Sequence, residues 1–353
     1  MSDVQKIREN LYLFRVEIPI PSLKFVNVYA FRGPKGITLI DTGWDSRSSL
    51  ESFLTNITKL GINPRDIRKV IITHFHMDHL GLTRRLKNLT STEIIIHGRD
   101  KQVLKRMVEN SDRIKEDVKE TMKIIGLPKE LYENVEVLPW IKMLKSYEEI
   151  YNIVTEVNNE EEIENGEFNL RLIWTPGHTP GHLCVYESNS RLLFTGDHIL
   201  PRISSNVSQF DEESDALGDF LKSLVKVSGI NVIKGYPAHQ DEYFDVKKRV
   251  SELLEHHYKR LVEVLDALEN GKESIYEIAS SIKWRLGGKS WEEADPIQKY
   301  FAIGETISHI IFLKKRGLIE KTYDEEGKVR YRIKRDKRGE LDLVFNKCIA
   351  GEE

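Results

Sequence analysis

The sequence predicts an α/β domain that carries a helical insertion and is followed by a winged-helix domain. Three observations lead there. Short apolar strands alternate with helical spacing over the first 100 residues, a charged helical stretch interrupts the strands at 98–165, and three helices precede a basic hairpin toward the C-terminus. A chain of 353 residues has the length of two or three domains, and at 40% hydrophobic and 31% charged it can bury a real core and is not disordered by composition. No apolar run reaches the roughly 18 residues of a membrane span, so no membrane partner is expected. The net charge of −3 gives no field that would draw the whole chain to nucleic acid or anionic lipid. Met1 to Lys6 shows no signal-peptide pattern, and the two cysteines, Cys184 and Cys348, cannot make a disulfide framework. The expected location is therefore a reducing cytoplasm.

Residues 11–17 alternate apolar and polar and read as a strand. Runs 26–31 and 36–40 flank Gly33-Pro34-Lys35-Gly36, a hairpin signal. Leu50, Phe53, Leu54, Ile57 and Leu60 share one helical face, which predicts a helix over 46–60 stopped by Gly61. Runs 67–72 and 93–96 read as buried strands. Residues 100–125 predict a charged helix closed by Gly126 and Pro128. The stretch 98–165 is long for a connection, and its functional form would be a cap over a substrate pocket. Strand patterns return at 168–174, 183–187, 191–194 and 231–234. Apolar spacing over 246–268 predicts a long helix, near which we place the boundary between a catalytic domain, 1–250, and a C-terminal domain, 251–353. Helices at 274–282 and 296–316, then strands at 318–322 and 329–333 around Asp324-Glu325-Glu326-Gly327, give the winged-helix order.

The chemistry is concentrated after strand ends. Residues 73–81 read Thr-His-Phe-His-Met-Asp-His-Leu-Gly, with His74, His76, Asp78 and His79 inside six positions. With 11 histidines in 353 residues, chance clustering of this kind is improbable. Imidazole and carboxylate are ligands that borderline divalent metals prefer, and two pairs so arranged can serve two ions. Further His and Asp residues follow other strands: His178 and His182 in Thr175-Pro176-Gly177-His178-Thr179-Pro180-Gly181-His182, Asp197 and His198 in Thr195-Gly196-Asp197-His198, and His239 in Tyr236-Pro237-Ala238-His239. Open α/β sheets collect their sites at such carboxyl ends. His182 reads as a structural hydrogen bond to the loop, with a place in the pocket as its alternative, and His198 is a pocket candidate. Cys184 reads as strand core. His256, His257, His97 and His309 read as packed or solvated positions.

The run from Thr73 to Gly81 resembles the HxHxDH signature of the metallo-β-lactamase-fold hydrolases. Asp41-Thr42-Gly43, Gly177-His178, Thr195-Gly196-Asp197 and Ala238-His239 match that superfamily's other motifs in order, over about residues 10–245. The resemblance implies an αββα sandwich with two divalent metal ions at one edge. It implies His74, His76 and His178 as ligands of one ion, Asp78, His79 and His239 as ligands of the other, and Asp197 as the bridge between them. Asp41 would orient a ligand histidine. Zinc is expected from the ligand types, with Fe²⁺ and Mn²⁺ as alternatives. A water shared by two cations would lose its proton near neutral pH and attack a carbonyl or phosphorus, with Asp78 as a catalytic residue that orients it or shuttles its proton.

Within the superfamily, the intact His76 argues against flavo-diiron oxidoreductases. The short distance from Asp197 to His239 leaves no room for a β-CASP insertion, and the presence of Asp197 argues against secreted β-lactamases. The run 174–206 looks like glyoxalase II-like and lactamase-β-like-2 hydrolases, the latter RNA-cleaving and the nearer in architecture. We expect a small-molecule ester or thioester substrate, with RNA cleavage as the alternative and a metal-dependent DNA-binding regulator as the non-enzyme reading. Residues 314–338 hold 11 basic and 5 acidic side chains, which suits phosphates. The acidic hairpin tip and the Ile/Phe-rich recognition-helix candidate, 304–316, oppose that, so a packing or homodimerising role is favoured for this domain.

Overall fold

The computed structural model describes residues 4–20, 23–133, 139–158, 160–335 and 337–352. The chain forms two compact units. One comprises Met1–Glu109, Met143–Ser205 and Val227–Arg249; the other comprises Asn110–Lys142, Asn206–Lys226 and Val250–Glu353. Residues 110–142 and 206–226, read from the sequence as part of the catalytic domain, cluster with the second unit.

The first unit is built on two sheets. One holds β1 (Val4–Arg8), β2 (Leu11–Glu17), β3 (Phe25–Gly33), β4 (Gly36–Ile40), β5 (Ile67–Ile71), β6 (Glu93–His97) and β7 (Thr155–Val157), in that spatial order. It is antiparallel from β1 to β4 and parallel from β4 to β7. The other runs β12-β11-β10-β9-β8, from β8 (Glu162–Asn165), β9 (Phe168–Trp174), β10 (Leu183–Glu187), β11 (Leu192–Gly196) and β12 (Lys234–Pro237). Alternation explains the shared core. Phe168, Leu170 and Leu172 of β9 and Leu183 and Val185 of β10 meet Leu11, Leu13, Tyr29, Phe31, Ile40, Ile71 and Ile95 of the first sheet. Phe31 sits edge-on to Phe168 and Phe194, with centroids 5.1 and 5.2 Å apart. On the other face of the first sheet, Phe14 packs edge-on to Phe53 at 5.4 Å, so the helix Arg47–Lys59 covers that side. The N-cap of that helix, Ser46, accepts from the Ser49 N–H at 3.1 Å. Polar latches join the sheets: Asn27 Nδ2 and the Tyr29 hydroxyl both donate to the Pro237 carbonyl, at 2.9 and 2.6 Å.

The structure departs from the sequence reading in several further places. The insertion at 98–165 is helical only in part, because β7 and β8 close one edge of each sheet; residues 134–138 and 159 within it lie outside the described residues. The acidic run hid β8, an edge strand in which Glu162 and Glu164 face solvent while Ile163 and Asn165 turn inward. The helix expected over 100–125 is two, Gly98–Glu109 and Ile114–Ile124. The strand expected at 231–234 is displaced to Lys234–Pro237, since Tyr236 rather than Ile233 reaches the core. β1 was not foreseen.

In the second unit, the helices Ile275–Ser281 and Pro296–Lys315 each begin with a capping box, Ser274 with Glu277 and Asp295 with Gln298. β13 (Ile319–Tyr323) pairs antiparallel with β14 (Val329–Ile333), and a further helix, Leu341–Ala350, follows. Every residue from Ala302 to Leu313 is buried, so the recognition-helix candidate is a core helix except at its last residues, Lys314 to Arg316. Among the described residues, no helix is long and apolar enough to cross a membrane.

Phe31→Ala should remove the ring that joins the two sheets and destabilise the chain by about 3–5 kcal/mol, read as a lower midpoint in urea denaturation with the slope unchanged.

Candidate metal centre

Five strand ends of the first unit deliver the site. Asp41 follows β4, the run from His74 to His79 follows β5, His178 lies between β9 and β10, Asp197 follows β11 and His239 follows β12. Thr73, His74 and His79 are wholly buried, and Asp78 and Asp197 are each 8% exposed. Their lone pairs converge in two groups. In one, His74 Nε2 lies 3.0 Å from His76 Nδ1 and 3.3 Å from His178 Nε2, and those last two are 3.1 Å apart. In the other, Asp78 Oδ2 is 3.6 Å from His79 Nε2 and 3.3 Å from His239 Nε2. Asp197 reaches both, with Oδ2 3.8 Å from His178 Nε2 and 3.7 Å from His79 Nε2, and Oδ1 3.6 Å from His239 Nε2.

Neighbouring groups fix the ring orientations. Asp41 accepts from the Thr73 N–H and hydroxyl at 2.8 and 3.0 Å and holds His79 Nδ1 at 2.8 Å, which aims Nε2 at the carboxylates. Asp41 adopts φ 60°, an αL conformation that aspartate tolerates better than most residues. His239 Nδ1 donates to the Phe25 carbonyl at 2.8 Å, which turns its Nε2 toward Asp78 and Asp197. His182 is fully committed: it accepts the Asp197 N–H at Nε2, 3.1 Å away, and Nδ1 donates to the Thr175 hydroxyl at 2.9 Å. It therefore positions Asp197 and has no nitrogen left for a ligand. His198 is wholly buried with its ring 5.8 Å from that of His182, and neither lies in the converging groups.

The electrostatics differ between the groups. Burial and neighbouring histidines hold His74 well below the usual imidazole range, and burial with His178 takes His76 to about 3. Both are neutral donors near pH 7. At His79, burial opposes protonation, but Asp78, Asp41 and Asp197 outweigh it and raise the ring well above its usual range. Asp78 falls to about 2 because His79 and His239 overcome its burial. Protons on His79 and His239 thus balance carboxylate charge that a cation would otherwise balance.

The donor set fits divalent metal ions. Tetrahedral zinc with bonds of about 2.0–2.1 Å places its ligand atoms roughly 3.3–3.4 Å apart, close to the spacing of the three-histidine group. Among the described residues, the buried His79 Nε2, His239 Nε2 and Asp197 Oδ1 have no hydrogen-bond partner, an arrangement that is costly without a ligand. The combinations His74–His76–His178, His74–His79–Asp197 and Asp78–His79–His239 each bring their ligand atoms within 4.8 Å of one another.

Two residues of this site went unread in the sequence. Asp100 is wholly buried and accepts from the Phe75 N–H at 3.0 Å, the Thr179 hydroxyl at 2.8 Å and the Gly181 N–H at 2.5 Å. It ties the loop of His74 and His76 to the loop of His178. The available signal was its position just after β6, where the other strands deliver their site residues. Tyr147 lies on the helix Leu144–Tyr151, buried, with a hydroxyl pKa raised by burial and then by the Asp78 charge. Ser146 donates to Asp45 at 2.9 Å and Arg84 to Glu149 at 2.7 Å, which moors that helix beside the site.

A sandwich of two mixed sheets with a His/Asp cluster at its strand ends defines the class as an α/β protein with a metal-type centre. The model of the metallo-beta-lactamase superfamily matches residues 22–255, and the chain belongs to that superfamily, whose members are generally metal-dependent hydrolases. Similar proteins include the lactamase-like protein adaB of Aspergillus niger, 24% identical over 71% of this chain and 61% of that protein. Another is the beta-lactamase-like protein 2 homolog of Caenorhabditis elegans, 26% identical over 71% of this chain and 68% of that one. The alignment thus spans under two thirds of adaB. The structure of a metallo-beta-lactamase family protein from Thermus thermophilus superposes with a TM-score of 0.74 at 26% identity, covering 93% of this chain and 100% of that one.

Asp100→Asn should leave part of the donor cluster unmet, lower stability by about 1–3 kcal/mol and weaken metal retention on dialysis. The pH dependence has a definite sign. Burial lifts Asp100 from 3.8 to about 7 despite its three donors. Between those values the folded chain holds a proton that the unfolded chain has lost, so this carboxyl subtracts stability as pH rises through that window and adds no further slope above it. The difference between wild-type and Asp100→Asn unfolding free energies should slope between about pH 4 and 7 and be flat beyond.

Proposed function

We propose that the protein is a dinuclear metal-dependent hydrolase of small-molecule esters or thioesters. The observation that carries this reading is Asp197, whose two oxygens stand 3.6–3.8 Å from ring nitrogens of both ligand groups. His74, His76 and His178 would hold one ion, Asp78, His79 and His239 the other, and Asp197 both. By ligand type the ions are zinc, with Fe²⁺ or Mn²⁺ as substitutes. Divalent cations there supply Lewis acidity, lowering the pKa of water and offsetting charge on a carbonyl oxygen. The chain's own residues do the rest. Asp41 and the Phe25 carbonyl fix the tautomers of His79 and His239, and His182 holds the Asp197 backbone. Asp78, beside His239 and His79, is the carboxylate placed to orient a nucleophile's proton. The helix that carries Tyr147 forms the acyl-side wall.

The second reading is RNA cleavage, favoured by similarity to the beta-lactamase-like protein 2 homolog and by the winged-helix order of the second unit. Charge pairing weighs against it. Arg332 is bound to Glu273 at 2.6 Å, Arg330 to Asp324 at 2.7 Å, Lys328 to Glu326 at 2.7 Å and Lys321 to Glu212 at 2.5 Å. A hairpin whose cations are neutralised internally offers little to phosphates. Packing or self-association suits it better, and the DNA-binding regulator loses its recognition surface on the same ground.

Zinc-loaded protein should hydrolyse acyl thioesters or esters in a panel that also contains lactones, phosphodiesters and single-stranded RNA. Asp197→Ala should lose metal and drop kcat/KM at least about 10³-fold. Full metal content and rate in Asp197→Ala would overturn the bridging role; cleavage of RNA with no ester or thioester turnover would overturn the substrate class.

A further inference from the structure

We propose that His256, His257 and Glu305 form an additional binding site for a zinc-class divalent ion within the second unit. His256 and His257 lie on the helix Val246–Glu269, and Glu305 lies on the helix Pro296–Lys315. One nitrogen of each histidine and one oxygen of Glu305 lie within 4.8 Å of one another. His256 Nε2 and Glu305 Oε1 are 3.9 Å apart, too far for a hydrogen bond and about half an ångström beyond the separation of two ligands on one tetrahedral ion.

The hydrogen bonds behind His257 decide its tautomer. His309 Nδ1 stands 2.7 Å from the Glu305 carbonyl, which can only accept, so that nitrogen carries the proton. His309 Nε2 is then an acceptor, and it receives a proton donated by His257 Nδ1 at 3.2 Å. The lone pair of His257 is left on Nε2, which is buried and has no hydrogen-bond partner among the described residues. A ring N–H tied back to a second acceptor is the usual support of a metal-ligating histidine. Burial keeps His257 well below the usual imidazole range, and it is a neutral donor.

Glu305 is 6% exposed, and no side-chain hydrogen bond satisfies it among the described residues. Arg260 Nε stands 3.9 Å from it, while the same guanidinium is bound to Glu263 at 2.8 Å and lies over the Trp284 ring at 4.0 Å. Burial lifts the Glu305 carboxyl to about 7, and Arg260 opposes that rise without covering the carboxylate. The half-exposed edge of His256, whose side chain is 35% accessible, gives an ion a route in and a remaining position for water. Three protein ligands drawn from two helices would clamp those helices together.

The test is equilibrium dialysis of the full-length protein against Zn²⁺ followed by elemental analysis, with wild type, His257→Ala and Glu305→Gln compared and circular dichroism taken on each. Both folded variants should hold one equivalent fewer than wild type, with hydrolytic rates unchanged. Equal metal content in wild type and variants overturns the site. Should the variants not fold, the ring ¹⁵N resonances of His257 in wild-type protein serve instead. A Zn²⁺-dependent shift of Nε2 supports the site, and an unmoved ring at saturating Zn²⁺ overturns it. Both readouts are independent of whether the catalytic reading holds.

Discussion

Lone pairs forced against lone pairs are the constraint on which this structure turns. Three ring nitrogens sit 3.0–3.3 Å apart in one group, and two carboxylates face two imidazoles in the other, nearly all of it buried. Buried polar atoms left without partners cost about 1–3 kcal/mol each, so such a cluster persists only if the scaffold overrides the cost or a cation removes it. The scaffold does part of this through protons on His79 and His239, which Asp78, Asp41 and Asp197 retain against burial.

Holding five loops in register is the work of two different materials. The apolar core between the sheets sets where the strands end, and the Asn27 and Tyr29 bonds to Pro237 fix the last strand of one sheet against the other. Buried polar anchors then set the loops themselves. Asp41 ties the β4 loop to the histidine run, Asp100 ties that run to the His178 loop, and His182 ties the His178 loop to Asp197. Each anchor spends its hydrogen-bonding capacity on backbone N–H groups and side chains, which leaves the site atoms as the unsatisfied remainder.

The converging residues were legible because their chemistry demands rare residue types directly after strand ends, and His74, His76, His178, Asp197 and His239 each stand there. The strands β2, β9 and β14, whose apolar residues alternate, and β4 and β10, which are short apolar runs, were legible for the same local reason. What was not legible depends on meetings between distant segments. Asp100 looks like one more charged helix residue until Phe75, Thr179 and Gly181 arrive around it. β8 has one inward apolar residue, Ile163, and gains its identity only from pairing with β9. His256 and His257 read as an ordinary helix face, because the residues that give them meaning, Glu305 and His309, lie about fifty positions away.

The segmented make-up of the first unit has a consequence for how the chain comes to be folded. Its three pieces are separated by residues 110–142 and 206–226, which belong elsewhere. β12 closes one sheet only after most of the chain has been made, and with it comes His239. An emerging polypeptide therefore displays β2 to β6, with Leu13, Phe31 and their apolar neighbours, long before the opposing strands exist to cover them. Closing these long loops slows assembly, so this half should reach its native form late and depend on assistance during synthesis.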